Sequence, residues 1–132
     1  MAQIIPFHGT LYDPAAIGSI PDVVAPPYDI IDAAGQKALH DRHPQNIIRL
    51  ELGMDQPGDD GSNNRYTRAA ATLRNWIKTG ALKRDAQPSI YYHTIEYSPP
   101  SADARAPRKT LRGFLTTTKL EPLDSGHIYP HE

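Results

Sequence analysis

The stretch Asn64-Arg65-Tyr66-Thr67-Arg68-Ala69-Ala70-Ala71-Thr72-Leu73-Arg74-Asn75-Trp76-Ile77-Lys78-Thr79-Gly80 carries the strongest structural signal in the chain. Ser62-Asn63-Asn64 supplies side-chain acceptors where the first free N–H groups of a helix need them. Gly80 is the residue type that closes a helix in the left-handed conformation. Between these caps Ala69, Leu73, Trp76 and Ile77 follow the i, i+4, i+7, i+8 spacing, which predicts a helix over 65–79 with one buried stripe.

Working upstream, residues 53–64 hold Gly53, Gly58 and Gly61 with Asp55, Asp59 and Asp60 and read as a loop. In 46–52, Ile48, Leu50 and Leu52 alternate with Arg49 and Glu51, which predicts a half-buried strand with Arg49 and Glu51 on one face. A helix is expected over 33–42, capped by Asp32 and ended at His43-Pro44, since the residue before proline avoids the helical region. Val23-Val24 within 17–25 reads as a short strand broken by Pro26-Pro27. Residues 4–14 are short and apolar and turn at Asp13-Pro14. Downstream, 89–97 and the threonine-rich 110–120 read as two strands joined by a long loop over 98–109. The expected class is α+β: a small mixed sheet with two or three packed helices in a single domain over 1–132.

Composition narrows the function classes. The chain has 132 residues, 14 Lys and Arg against 15 Asp and Glu, and no cysteine. Near-neutral charge argues against non-specific nucleic-acid binding, which needs a basic face. Lack of cysteine removes disulfides, thiolate metal sites and a cysteine nucleophile, and fits a reducing, cytoplasmic setting. The start, Met1-Ala2-Gln3-Ile4-Ile5-Pro6, lacks the basic and long apolar regions of a signal peptide, and no apolar run approaches a membrane span. At the other end, Asp124 to Glu132 looks like a turn entering another element, which suggests the N-terminal fragment of a longer protein.

Several blocks taken together carry a resemblance. They are Pro6-Phe7 with Gly9 and Tyr12, Val24-Ala25-Pro26-Pro27-Tyr28-Asp29, Asn46 to Gly53, Asn64 to Ala71 with Trp76 and Gly80, Arg112-Gly113-Phe114, and Pro130-His131-Glu132. Their order and spacing resemble the N-terminal part of the DUF1015 family, over essentially the whole chain. Members of that family are longer, and their Pro-His-Glu block continues into a helix and a larger remainder. The family is distantly similar to the ParB/sulfiredoxin-like superfamily, which includes nucleotide-binding proteins and an ADP-dependent serine kinase. The resemblance therefore implies a ParB/sulfiredoxin-like fold and phosphoserine chemistry, by analogy.

Four motifs are candidates for that chemistry. Pro27, Tyr28 and Asp29 sit before a helix N-terminus, where free N–H groups attract phosphate. Their two prolines make a stiff loop that admits a cis bond, and Tyr28 and Asp29 are placed to bond a ribose, an amine or a metal. The plainer reading is a rigid turn with Asp29 capping backbone. Arg49 and Glu51 are a phosphate ligand and a base, or else an exposed ion pair worth ~0–1 kcal/mol. Asn64, Arg65 and Arg68 open the 65–79 helix and form a second anion site, with the 53–64 loop as a lid, or else a capped helix with solvated arginines. His131 and Glu132 form the sharpest pair: Glu132 as general base or metal holder and His131 as phosphate ligand, or else a frayed end.

Other features read more plainly. His40 and His43 are one helical turn apart, yet nothing in the sequence completes a zinc site around them. His8 and His93 read as packing or surface residues. The basic cluster Arg105, Arg108, Lys109 and Arg112 lacks interleaved aromatics and reads as a solvated hairpin tip.

The combined expectation is an enzyme, or half of one, acting as a phosphotransferase or phosphatase on serine or phosphoserine. ADP or ATP and Mg²⁺ would be its companions. The alternative is a non-catalytic ParB-like module that binds nucleotide or DNA. A third expectation is a fragment inert by itself, pairing with itself as a homodimer through an open strand edge.

Overall fold

The computed structural model describes residues 2–99 and 107–129. Two compact units divide the chain: Thr10–Arg84, and Met1–Gly9 with Asp85–Glu132.

The Thr10–Arg84 unit is mainly helical. Strand β2 (Thr10–Tyr12) follows the short β1 (Ile4–Ile5) of the other unit, and two one-turn helices come next, α1 (Pro14–Ile17) and α2 (Ile20–Val23). A 3-10 turn covers Tyr28–Ile30. Then come α3 (Ala33–Arg42), the single turn α4 (Ile48–Glu51), the long α5 (Arg65–Thr79) and β3 (Leu82–Arg84). Strands β2 and β3 pair antiparallel, with Leu11 opposite Lys83. Ile17, Val23, Trp76, Ala81 and Leu82 form the core, with Tyr12, Ile47 and Leu50 packed against it. The Tyr12 hydroxyl, which donates to Gln45 O at 2.7 Å, is pushed up to about 12 by burial and then by the Glu51 charge.

The long helices lie where the caps place them. Asp32 accepts from Gly35 N at 2.7 Å to open α3. Asn64 accepts from Tyr66 N and Thr67 N while the Thr67 hydroxyl accepts from Asn64 N, a reciprocal capping box. Gly80 closes α5 at φ 80°. The stripe on α5 is less buried than its spacing implies: Trp76 is 4% exposed, but Leu73 and Ile77 are 40% and 50%. The elements packed along α5 are α4 and β3. One helical turn and a three-residue strand are too short to cover it.

Two expected strands are helical. Residues 17–25 form the end of α1 and then α2, each with a proline at its start where a missing N–H costs nothing. Residues 48–51 form α4 because of Asn46, which is 0% exposed. Its side-chain oxygen accepts from Ile48 N at 3.0 Å, turning the backbone. Its amide donates to Asp22 O at 2.8 Å and to Val24 O at 3.1 Å, and Ile47 N donates to Val23 O at 2.7 Å. These bonds satisfy backbone groups that a sheet neighbour would otherwise have taken.

The second unit is a β structure. Strands β4 (Tyr91–Tyr97) and β5 (Lys109–Leu115) form a seven-residue antiparallel ribbon, and β6 (Thr117–Thr118) pairs with β1. The expected single strand over 110–120 is thus divided, with Thr116 and Thr117 hydroxyls donating to Ile5 O at the break. A 3-10 turn covers Leu123–Ser125. Tyr91 organises this unit. Its hydroxyl donates to Asp85 at 2.6 Å and accepts from Gly9 N at 2.7 Å, and its ring lies 5.1 Å from Phe7. A Cβ on Gly9 would fall 2.6 Å from that ring, so the close approach requires glycine. His8 Nδ1 lies 2.8 Å from Asp85 O, and His93 packs against Gly113. Arg108 donates to Glu96 O at 3.1 Å on the ribbon.

The α+β class holds. Among the described residues the sheets are three separate two-stranded antiparallel pairs rather than one mixed sheet. No cis peptide bond occurs among them, including at Pro26-Pro27. No described helix is long and apolar enough to cross a membrane.

Candidate functional site

The expected phosphate ligands converge in the Thr10–Arg84 unit. Arg49, Arg65 and Arg68 line one cavity of about 230 Å³, together with His40, Gly53 and Thr72. Arg65 and Arg68 come from the first turn of α5, and Thr72 follows one turn later on the same face. Arg49 comes from α4, whose orientation Asn46 sets.

Each arginine is differently occupied. Arg68 is fully paired: it holds Asp59 bidentately at 2.6 and 2.8 Å and donates to Met54 O at 2.9 Å. That contact lowers the Asp59 carboxyl to about 2, and Gln56 N helps by donating to it at 3.1 Å. Arg65 reaches the exposed Asp55 at 3.4 Å, donates to the Tyr66 hydroxyl at 2.8 Å and lies 4.9 Å from the Tyr66 ring centre. Arg49 donates to His40 O at 2.6 Å, and its buried Nε finds no hydrogen-bond partner among the described residues. Among those residues Arg49 also joins no ion pair. His40 Nε2 lies 3.4 Å from Leu52 O, and burial pushes its imidazole below the ordinary value, helped by the Arg49 charge. Three arginines line the cavity, and their carboxylate partners, Asp59 held tightly and Asp55 loosely, are not among its lining residues.

A second cavity, of about 220 Å³, shares Gly53 and Arg65 with the first. Tyr28 and Tyr66 line it, with Glu51 and the apolar floor of Leu50, Leu52 and Ala69. Arg49 and Glu51 therefore do not form one pair on one face. Two residues apart on a helical turn, they diverge by about 200°, and each enters a different cavity.

Other expected roles are reassigned. The amides opening α5 do not present an anion site, because Asn64 occupies them. Asn64 is a cap and lines neither cavity. At the start of α3, Asp32 takes the Gly35 amide. Pro27 and Asp29 are exposed and line neither cavity. The 53–64 loop is not free: Arg68 pins Met54 and Asp59, while Asp60 accepts from Ser62 N and Asn63 N. His43 Nδ1 accepts from Gln45 N at 3.1 Å rather than facing His40's partners. His131, Glu132 and Arg105 lie outside the described residues.

Three lining residues have no anion-binding role in the sequence reading. His40 enters there only as a zinc candidate. Thr72 is seven residues after Arg65 on α5, a spacing that already places it on the arginine face. Tyr66 lies inside the quoted helix block beside Arg65.

A family model described as "Protein of unknown function (DUF1015)" matches residues 4–132. The chain belongs to this family. No curated protein and no solved structure matched it. The two cavities of this DUF1015 chain draw on the blocks Asn46 to Gly53 and Asn64 to Ala71 that carried the resemblance, with Tyr28 from a third, while His40, Met54, Gln56 and Thr72 lie outside them.

Proposed function

We propose that the arginine cleft binds the phosphoryl group of a small phosphorylated metabolite or nucleotide, in a protein that transfers phosphate to or from serine using an adenine nucleotide. The observation that carries this reading is the convergence of Arg49, Arg65 and Arg68 on one cavity, with Arg49 joined to no carboxylate among the described residues. A guanidinium with no carboxylate partner keeps its charge available to an anion in the cavity. Tetrahedral anions are what converging guanidinium groups recognise best.

Within this reading Arg49 and Arg65 are phosphate ligands. Arg68 acts chiefly by holding the 54–59 loop in place, since its charge is already matched by Asp59. Positioning and charge stabilisation are the main demands of phosphoryl transfer, and the arginines supply both. Mg²⁺ would accompany a nucleotide. The ParB-like relationship and the roles of His131 as phosphate ligand and Glu132 as general base belong to the same proposal.

The test is a thermal-shift panel with ADP, ATP, AMP, phosphoserine, serine and inorganic phosphate, each with and without Mg²⁺. A ligand at ~100 times its Kd adds about 2.7 kcal/mol of stability. A shift is expected with phosphorylated compounds and not with serine, and Arg49→Gln should abolish it. A panel with no shift, or a shift indifferent to Arg49→Gln, would sink the reading. Steep salt dependence with duplex DNA would favour the regulatory-module alternative instead. Glu132→Gln, assayed for turnover, tests the acid–base role independently of the cleft.

A further inference from the structure

We infer that the second cavity is a seat for a planar aromatic ring, so that the two cavities together take a ring-bearing phosphate such as a purine nucleotide. This rests on the phosphate reading of the arginine cleft and adds where the rest of the ligand lies.

The chemistry of the lining separates the two ends. Tyr28 and Tyr66 arise from different elements, the 3-10 turn and the first turn of α5, yet they line the same 220 Å³ space. They are 67% and 69% exposed. Exposed aromatic rings facing a common cavity, over a floor of Leu50, Leu52 and Ala69, offer stacking surface without a core to pack. The charged groups decide orientation. Glu51 lines this cavity and Arg49 does not. A carboxylate repels phosphate, so the anionic end belongs with Arg49 in the first cavity. In the second, Glu51 accepts an N–H from a ring amino group or an O–H from a sugar.

Arg65 lines both cavities and joins the two ends. Its guanidinium stacks on the Tyr66 ring and donates to the Tyr66 hydroxyl. The same contact that holds the ring in place therefore aims the charge that faces the phosphate. Gly53, shared by both cavities, adds no side chain between them.

The experiment is binding calorimetry on this chain with four probes: inorganic phosphate, ribose 5-phosphate, adenosine and AMP. Stacking of a base on an aromatic side chain predicts AMP binding about tenfold or more tighter than ribose 5-phosphate. Tyr28→Ala with Tyr66→Ala should erase that margin, so that AMP and ribose 5-phosphate bind alike. Tyr28→Phe and Tyr66→Phe should keep most of it, because the rings remain. Both tyrosines are exposed, so melting temperatures should change little and folding is not in question.

The outcomes separate the two proposals. Ribose 5-phosphate binding with no margin for AMP overturns the ring seat and leaves the arginine reading standing. A margin that survives the double alanine variant also overturns the seat. Tyrosine-dependent adenosine binding, with no binding of either phosphate, keeps the seat and overturns the arginine reading. Binding of none of the four overturns both.

Discussion

The two units of the chain handle apolar surface in opposite ways. In Thr10–Arg84 every helix longer than one turn is capped at its start by a side chain, and Trp76, Ile17, Val23 and Leu82 are buried together. In the other unit the β4–β5 ribbon keeps Tyr92 and Phe114 directly opposite each other and exposed, at 67% and 62%. All the buried hydrophobic residues among those described belong to the helical unit. The difference teaches where stability and binding chemistry can be separated. A unit with its own core can hold charged side chains in fixed positions, whereas a two-stranded ribbon alone is marginal in water.

The contrast breaks most visibly at the core. Trp76→Ala should cost about 3–5 kcal/mol and remove hydrogen-exchange protection across Thr10–Arg84. If β4 and β5 amides lost protection to the same degree, the two units would be energetically one and the comparison would fail.

A smaller effect is expected from Asn46→Leu, which keeps the volume and strips three hydrogen bonds. The orphaned carbonyls of Asp22 and Val24 and the amide of Ile48 should cost about 3 kcal/mol. Phosphate affinity should fall with it, because Arg49 rides on the turn that Asn46 shapes. Denaturant unfolding and the ligand panel check the two parts.

Asn64→Ala should cost about 1 kcal/mol through loss of the α5 cap, read as a fall of about 4–8 °C in melting temperature for a unit of this size. Local fraying near Arg65 is the signature that distinguishes it from a core defect.

The smallest effect concerns acid. Asp59 titrates at about 2 when folded, below the ordinary 3.8, so its contribution is complete above that ordinary value. It is lost as pH falls through about 2, where protonation frees Arg68. Amide exchange at Met54 and Gln56, followed from pH 5 to pH 2, should show the loop loosening in that window. Asp59→Asn should loosen it at every pH. No change in either would mean that the bidentate contact does not restrain the loop.

How much of the molecule is legible in its sequence depends on how local the deciding contacts are. Helices α3 and α5 are readable to their last residues because Asp32, Asn64 and Gly80 act on backbone two or three positions away. The turn at Ile48–Glu51 is not, because alternation of Ile48, Leu50 and Leu52 fits a strand equally well over so few residues. The bonds that decide it run from Asn46 to carbonyls more than twenty residues upstream. Pro14 and Pro21 do mark the two short helices, but Val23-Val24 carries the stronger strand propensity. For the site, Arg49, Arg65 and Arg68 can be named as anion ligands from residue type. That they meet in one cavity, and that Glu51 is sent to the other, depends on the helical turn and has no trace in the sequence pattern.

That turn makes the layout of charge a matter of phase. Each residue added to a helix rotates the residues after it by about 100°. A one-residue insertion between Ile48 and Arg49 would leave composition and net charge almost untouched, yet it would turn the arginine and the glutamate away from their present cavities together. Which cavity receives Arg49 and which receives Glu51 is thus written in the angular register of four residues, and a change of register there would displace both charges at once.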